Sequence, residues 1–375
     1  MTKKSAEDLI CVGCGAKLQS DDPNRSGYVP QSTLENRQEA EIYCKRCFRL
    51  RHYNEIQDVE LTNHDFMAMM NELSSKRSLI VYVVDLFDVT GTMISGIQRF
   101  AGQNPLLVVG NKKDLLPHSQ KTGKMRQWLL ERMHEWGVRP VGCQLVSAHQ
   151  SETVKQLMAT IETLRKGRDV YVVGATNVGK STLINQMINI TTEDRHVITT
   201  SYFPGTTLGK IMIPLDESSH LIDTPGIILK TNYTNYLTPQ ELKVTVPQKE
   251  IKPKNYPMIV GQTLFLGGLA RIDYTSGKDQ QHFISYTSKE LTIHRTKTKK
   301  AASLYEKQVG KLLQPPFSRE ELLAGEWIEK QLTIQEPADL VIAGLGWVHI
   351  DQGDAKVSVW VPQAVEVSIR KPMIG

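Results

Sequence analysis

The chain offers little that would place it in a membrane or an oxidising compartment. No stretch of its 375 residues approaches the ~20 consecutive apolar residues of a spanning helix. Behind Met1-Thr2-Lys3-Lys4 there is no apolar run of about 7–15 residues, so a secretory signal is not expected and a cytoplasmic location is. Cysteine is scarce, with five residues, and in that compartment thiols stay reduced. Aromatic residues amount to 7%. Charge of one sign is not in large excess either: 45 Lys and Arg against 40 Asp and Glu leave +5, which permits an RNA partner without demanding one. The hydrophobic share of 40% is ordinary for a globular protein, and 375 residues exceed one ordinary domain, so two or three are expected.

What cysteine there is falls mostly at one end. Cys11-Val12-Gly13-Cys14 and Cys44-Lys45-Arg46-Cys47 form two CxxC pairs with 29 residues between them. Four thiolates so spaced suit one tetrahedral Zn²⁺. The second pair leads into the helical-looking run Phe48 to Tyr53, an arrangement that resembles a treble-clef zinc finger. A redox CxxC is the competing reading, but a thioredoxin-like context is missing. Lys45, Arg46, Arg49, Arg51 and His52 stand among the aromatic Phe48 and Tyr53, which suits contacts to RNA phosphates and bases. A plain solvated face would carry the same residues. Cys143 lies in an expected strand and reads as a buried small apolar residue.

Three regions separate by pattern: a four-cysteine zinc-finger region over 1–60, an α/β region over 61–229 and a β-rich region over 230–375. In the middle region Ser78 to Asp85 and Pro105 to Gly110 read as buried parallel strands. Val141 to Val146, Asp169 to Val173, Thr207 to Ile213 and His220 to Ile222 supply four more. Helices are expected over Met125 to Trp136 and 152–165, which together with the strands suits a doubly wound sheet. Lys166-Gly167-Arg168 is expected to be a tight turn between the second helix and the next strand. In the last region Phe265 to Tyr274, His282 to His294 and Ala355 to Arg370 alternate as strands do, and Ala301 to Leu313 looks helical. The basic cluster His294 to Lys300 fits either RNA binding or an exposed loop.

Three nucleotide motifs are present in an unusual order. Gly174-Ala175-Thr176-Asn177-Val178-Gly179-Lys180-Ser181 matches G-x-x-x-x-G-K-S between a strand and a helix. Its backbone N–H groups would wrap a phosphate at a helix N-terminus, with Lys180 on the β- and γ-phosphates and the Ser181 hydroxyl on Mg²⁺. Val178 and Thr182 complete the cradle. Some sixty residues earlier stands Asn111-Lys112-Lys113-Asp114. The Asp114 carboxylate suits the N1–H and N2 amino groups of guanine, which adenine does not offer. Asn111 would bond the other edge and tie the loop to the phosphate loop, and the Lys112 stem would cover the ring. Ser147-Ala148, after a strand, would contact guanine O6. Asp223-Thr224-Pro225-Gly226 comes last, with Asp223 suited to the Mg²⁺ second shell and the Gly226 N–H to sensing the γ-phosphate. Thr207 is the expected switch threonine on Mg²⁺, with Thr206 as its competitor. Ile227 follows Gly226, where many GTPases carry a water-orienting Gln, so intrinsic hydrolysis is expected to be slow. An isoleucine packed in a hydrophobic switch would look the same.

Phosphate loop after guanine motif is the reverse of the usual order. The constellation resembles the circularly permuted P-loop GTPases, and within them those with a hydrophobic residue in place of the catalytic Gln. Asn177 matches the asparagine that helps hold K⁺ in potassium-activated relatives, which implies K⁺-stimulated hydrolysis with Lys180, Thr207 and Asn177 at the reacting phosphate. The whole layout resembles the YqeH family. That resemblance implies GTP/GDP, Mg²⁺ and Zn²⁺ as ligands, and a role in small ribosomal subunit assembly with rRNA or the pre-subunit as partner. It also implies a C-terminal domain likened to an RNA-binding attenuation protein. The alternative is a regulator of non-ribosomal RNA that uses nucleotide as a structural ligand. Replacing Asp114 by Asn is expected to move nucleotide preference from guanine toward xanthine. Competition of GTP and XTP for a fluorescent nucleotide measures this, and unaltered guanine selectivity would remove Asp114 from its role.

Overall fold

A computed structural model of the protein describes residues 9–12, 16–23, 25–35, 42–53, 60–61, 73, 75–194, 211–318 and 325–374. The chain divides into two compact units. The first comprises Met1–Leu86, Thr92–Lys113 and Arg126–Ile228, and the second Phe87–Gly91, Asp114–Met125 and Leu229–Gly375. Among the described residues no helix is long and apolar enough to cross a membrane.

The first unit is built on six strands: β2 (Ser78–Asp85), β3 (Leu106–Asn111), β4 (Gly142–Leu145), β5 (Asp169–Val173), β6 (Ile211–Pro214) and β7 (His220–Asp223). A short β1 (Glu60–Leu61) precedes them and β8 (Gly226–Ile227) follows. Their order across the sheet is β4-β3-β2-β5-β7-β6, parallel except where β6 meets β7. All eight residues of β2 are buried. A Val, Leu or Ile side chain so placed contributes roughly 1.5–3 kcal/mol relative to leaving it in water. That is why the strand reads as an unbroken apolar run rather than an alternation. The helix Ser151–Arg165 turns Val154, Leu157 and Ile161 inward at helical spacing. It ends at Lys166 and Gly167, both left-handed (φ 49° and 74°), and the chain turns directly into β5. Buried Arg165 fastens this corner, donating to Asp216 at 2.8 Å and to Ser219 at 2.6 Å. The backbone N–H of Ser218, then Ser219 and Arg165, hold the Asp216 carboxyl well below the usual carboxylate range.

The N-terminal part of this unit is a small knot of backbone around sulfur. Cys11 N–H donates to Ala16 O at 2.8 Å. Gln19 and Tyr28 form a bridge, and the helix Lys45–Tyr53 starts directly after Cys44. Cys11, Cys44 and Cys47 are buried together with Leu18 and Val29.

The second unit is a β-sandwich. One sheet has the order β13-β10-β11-β17-β14, from β10 (Gln262–Leu266), β11 (Ala270–Ser276), β13 (Ile293–Lys297), β14 (Trp327–Ile334) and β17 (Ala355–Pro362). The other runs β18-β15-β16-β12-β9, from β9 (Lys254–Met258), β12 (Gln281–Tyr286), β15 (Ala338–Ile342), β16 (Gly346–Ile350) and β18 (Val367–Arg370). Leu264, Ile272 and Val359 of the first sheet share one core with Phe283, Leu340 and Val348 of the second. Tyr286 stacks on Trp347 with centroids 4.9 Å apart, and Arg370 lies 5.0 Å over the Trp347 ring.

The fold class is that expected from the sequence, an α/β sheet with a Cys cluster ahead of it and a β-rich region behind. Three long strands expected in the last region are each two. Gly267, at φ 56°, turns the chain between β10 and β11. A turn at 287–290 separates β12 from β13, and Pro362 ends β17. The helix expected over Ala301 to Leu313 occupies Thr298–Gln308 and stops before Gly310, which is left-handed at φ 77°. The helix Pro239–Thr245 was signalled by Thr238-Pro239 and Glu241, whose hydroxyl and carboxylate make a reciprocal capping box. Residues 207–210 of the expected strand Thr207 to Ile213 lie outside the described residues.

Candidate nucleotide site and cysteine cluster

Every motif of the first unit sits where a parallel strand ends, as ligand-binding loops do in such sheets. β5 ends at Val173 and the helix Lys180–Asp194 begins at the motif's lysine. Between them the backbone wraps tightly. Asn177 is left-handed at φ 62° and exposed, and Gly179 is left-handed at φ 85°. A Cβ on Gly174 would stand 2.5 Å from Val83 O, and one on Gly179 would stand 2.6 Å from Asn111 Nδ2. These glycines are therefore steric requirements of the loop. Val178 is buried beneath it, Ser181 is buried at the helix start and Thr182 is exposed. Lys180 is 1% exposed, and its Nζ donates to Gly174 O at 3.2 Å and Ala175 O at 3.0 Å.

β3 delivers Asn111 to the same place. Asn111 Nδ2 donates to Val178 O at 2.9 Å, joining the two loops. Lys112, left-handed at φ 63°, pairs through Nζ with Asp85 Oδ2 at 2.6 Å. Lys113 N–H donates to Val146 O, which holds the end of β4 and the following Ser147-Ala148 to this turn. Ser147 is wholly buried, and its N–H donates to Thr153 Oγ1 at 3.1 Å. Asp114 opens a separate stretch of the second unit, where Leu115 O accepts from Ile251 N–H at 2.9 Å and His118 N–H donates to Glu250 at 2.8 Å.

Asp223 ends β7, is buried, and meets the guanidinium of Arg46. Thr224 donates through Oγ1 to Val172 O at 2.7 Å. Gly226 and Ile227 then run between two neighbours. Thr176 N–H donates to Ile227 O at 2.9 Å on the phosphate-loop side. On the other side Glu60 and Leu61 pair in parallel with Gly226 and Ile227. A Cβ on Gly226 would lie 3.0 Å from Lys180 Nζ.

The residues of the first unit fit a nucleotide. Asn111 Oδ1 is buried with no hydrogen-bond donor among the described residues, and Asp114 Oδ1, described with the second unit, is so too. Buried acceptors of this kind are satisfied by something else in a working protein. The cradle glycines admit nothing larger than hydrogen at two positions, which leaves backbone N–H groups free to face a phosphate. At the cysteine cluster, ligand atoms of Cys11, Cys44 and Cys47 lie within 4.8 Å of one another, so three thiolates are gathered for a soft divalent cation such as Zn²⁺. Cys14, Thr206 and Thr207 lie outside the described residues. Cys143 is buried in β4, and burial pushes its thiol up to about 12, so it is no nucleophile.

Two expectations are altered by the structure. Arg46 is not on an RNA-facing surface of the finger, because its guanidinium is buried against Asp223, whereas neighbouring Phe48 is 46% exposed. The basic cluster His294 to Lys300 is not a loop. It spans edge strand β13 and the first turn of the helix Thr298–Gln308, with Arg295, Lys297, Lys299 and Lys300 exposed. Nothing in the sequence joins Arg46 to Asp223, which are 177 residues apart. The partnership of Lys112 with Asp85 was also missed, although Asp85 at the end of a buried strand is the kind of residue that marks such a pair.

The chain is similar to known proteins over nearly its whole length. A family model described as YqeH-like, C-terminal, matches residues 280–373. One described as 50S ribosome-binding GTPase matches residues 169–252. YqeH of Bacillus subtilis (strain 168) is 45% identical over 369 residues, covering 98% of this chain and 100% of that protein. The chain belongs to the YqeH family. NO-associated protein 1, chloroplastic/mitochondrial, of Arabidopsis thaliana is 29% identical over 423 residues, covering 96% of this chain and 75% of that protein. Among solved structures, GNP-bound YlqF from T. maritima is 21% identical with a TM-score of 0.30, covering 49% of this chain and 66% of its own. The GTPase match begins at the strand entering the phosphate loop, so Asn111 to Asp114 stand ahead of it, as the permuted order requires. The GTPase domain brings GTP, GDP and Mg²⁺ with it, and GTP hydrolysis as its activity. Replacing Gly179 by Ala is expected to weaken GTP binding about tenfold or more, the scale of 1–3 kcal/mol of backbone strain and steric conflict. Titration with a fluorescent GTP analogue reads this. Unchanged affinity in a folded variant would show that the contact with Asn111 is dispensable.

Proposed function

We propose that the protein is a GTPase that times a step in small ribosomal subunit assembly in the cytoplasm, gripping rRNA or the pre-subunit in its GTP state and letting go after hydrolysis. The observation that carries this reading is the exit of the chain from the nucleotide site. Ile227 is hydrogen-bonded into the phosphate loop, its N–H donating to Gly174 O and its carbonyl accepting from Thr176 N–H, and the chain runs from Ile228 straight into Leu229, where the main span of the second unit begins. A change at the γ-phosphate therefore acts on the segment that continues into the β-sandwich.

In this reading Lys180 holds the β- and γ-phosphates, and Gly174, Val178, Gly179 and Thr182 form the cradle. Asn111, Lys112, Asp114, Ser147 and Ala148 read guanine. Ser181, Thr207 and Asp223 hold Mg²⁺ directly or through water, and Gly226 senses the γ-phosphate. Cys11, Cys14, Cys44 and Cys47 hold Zn²⁺. Ile227 has no polar side chain with which to orient water, so hydrolysis is slow. Asn177 is exposed and left-handed in the loop, and in this reading it holds a K⁺ that supplies positive charge at the reacting phosphates. Hydrolysis in K⁺ is expected to exceed that in Na⁺ at matched ionic strength, and equal rates would remove K⁺ from the mechanism.

The RNA half of the reading is supported by charge. The helix Thr298–Gln308 has no acidic residue in its first turn and carries Lys299 and Lys300 there. Cations at a helix N-terminus oppose the macrodipole, a cost that an anionic partner offsets. The description of the matched GTPase model names the 50S subunit, but that match covers the phosphate machinery and ends at residue 252, ahead of the first sandwich strand. Co-sedimentation with separated subunits decides between partners. Pelleting with the small subunit in a non-hydrolysable GTP analogue, and not in GDP, is expected. Pelleting with the large subunit alone would reassign the partner. Nucleotide-independent binding to unrelated structured RNA would favour a regulator of non-ribosomal RNA.

A further inference from the structure

The pair between Arg46 and Asp223 joins the cysteine cluster to the end of the strand that reaches the nucleotide site. Arg46 lies between Cys44 and Cys47, in the first turn of the helix Lys45–Tyr53. Its side chain is 4% exposed, and that of Asp223 is 2% exposed. Two charges taken out of water hold each other, and separating them carries a desolvation cost that a new counter-charge offsets. A second connection runs beside it. The backbone of Glu60 and Leu61, downstream of the same helix, pairs with Gly226 and Ile227. The N-terminal segment thus grips both ends of Asp223-Thr224-Pro225-Gly226-Ile227, one end by charge and the other by backbone pairing.

We propose that Arg46 is a positioning residue of the metal site: its guanidinium and the Mg²⁺ that accompanies GTP are alternative counter-charges for the Asp223 carboxylate. This rests on the assignment of Asp223 to Mg²⁺ made above. A dication near a buried carboxylate repels a guanidinium on the same group, so loading of Mg²⁺ loosens the pair. Arg46 stands between two cysteines of the cluster in the first turn of its helix, so a guanidinium released from Asp223 unties that turn from the end of the strand. Metal loading at the nucleotide therefore loosens the seat of the cysteine-bearing segment. By linkage, a firmly seated segment weakens Mg²⁺ loading by the same factor. The cysteine cluster so becomes a reporter of whether the nucleotide carries its metal.

Hydrogen exchange on the full-length, zinc-loaded protein tests this without any substitution. Peptides spanning the helix Lys45–Tyr53 are followed with a non-hydrolysable GTP analogue, with Mg²⁺ added or omitted and no chelator present, so that the zinc is kept. Exchange is expected to rise several-fold on adding Mg²⁺ in the presence of the analogue, and not on adding Mg²⁺ alone. Exchange that ignores Mg²⁺ while the analogue is bound would overturn the proposal. Arg46→Gln supplies the second arm, its zinc content measured alongside. The Mg²⁺ concentration at half-saturation of analogue binding is expected to fall about 5-fold or more, the lower edge of ordinary coupling between sites. A midpoint that stays put in zinc-loaded Arg46→Gln would also overturn it. Asp223→Asn separates the two levels of argument. If it shifts the Mg²⁺ midpoint while both Arg46 arms are silent, only the proposal fails. If it leaves Mg²⁺ dependence untouched, the assignment of Asp223 fails with it.

Discussion

One hydrogen bond makes the nucleotide loops a single structure: the side-chain amide of Asn111 reaches the carbonyl of Val178 across 67 residues of chain. Around it the sheet is ordered by pairing rather than by chain sequence. β2 lies against β5 with Ile80 opposite Tyr171, and against β3 with Ile80 opposite Leu106. Once those registers hold, the loops at the strand ends meet whichever of them comes first in the polypeptide. The permuted order then costs the fold little. It requires one short connection, supplied by Lys166 and Gly167 in left-handed conformation, and it frees the ends of the unit to fall elsewhere.

Where those ends fall matters for the chemistry. The strip from Asp223 to Ile227 receives the phosphate loop on one side and β1 on the other, and the chain leaves from its far end. Such a strip has few independent ways to move. A shift at Gly226 is felt by Lys180, whose Nζ lies 3.0 Å from where a Cβ would stand. Sub-ångström changes at closely packed positions of this kind become discrete changes elsewhere, because packed interiors are bistable rather than soft.

Much of this was legible in the sequence because the relevant signals are local. β2, β3 and β5 are short apolar runs, the latter two ending in a motif, as fully buried parallel strands read. The guanine and phosphate loops announce themselves through glycine and lysine spacing, and the turn at Gly167 through its glycine. The sandwich was less legible. Strand-like alternation persists through Gly267 and through Pro362, and only the turn geometry shows that each run doubles back. The burial of Arg46 was not legible at all. A basic residue in a basic, aromatic-rich segment reads as surface, and the carboxylate that draws it inward lies far along the chain.

Asp88 bears on how the protein can be dissected. Its buried carboxylate lies in the short Phe87–Gly91 stretch of the second unit and accepts from Asn232 Nδ2 at 2.7 Å and from Gly344 N–H at 2.8 Å. Both donors come from beyond Ile228. A fragment ended there would keep every nucleotide motif, yet it would strip two donors from a buried carboxylate that also accepts from the Gly91 N–H. The minimal piece that behaves like a GTPase is for that reason longer than its motifs, and the protein resists being shortened from its C-terminal side.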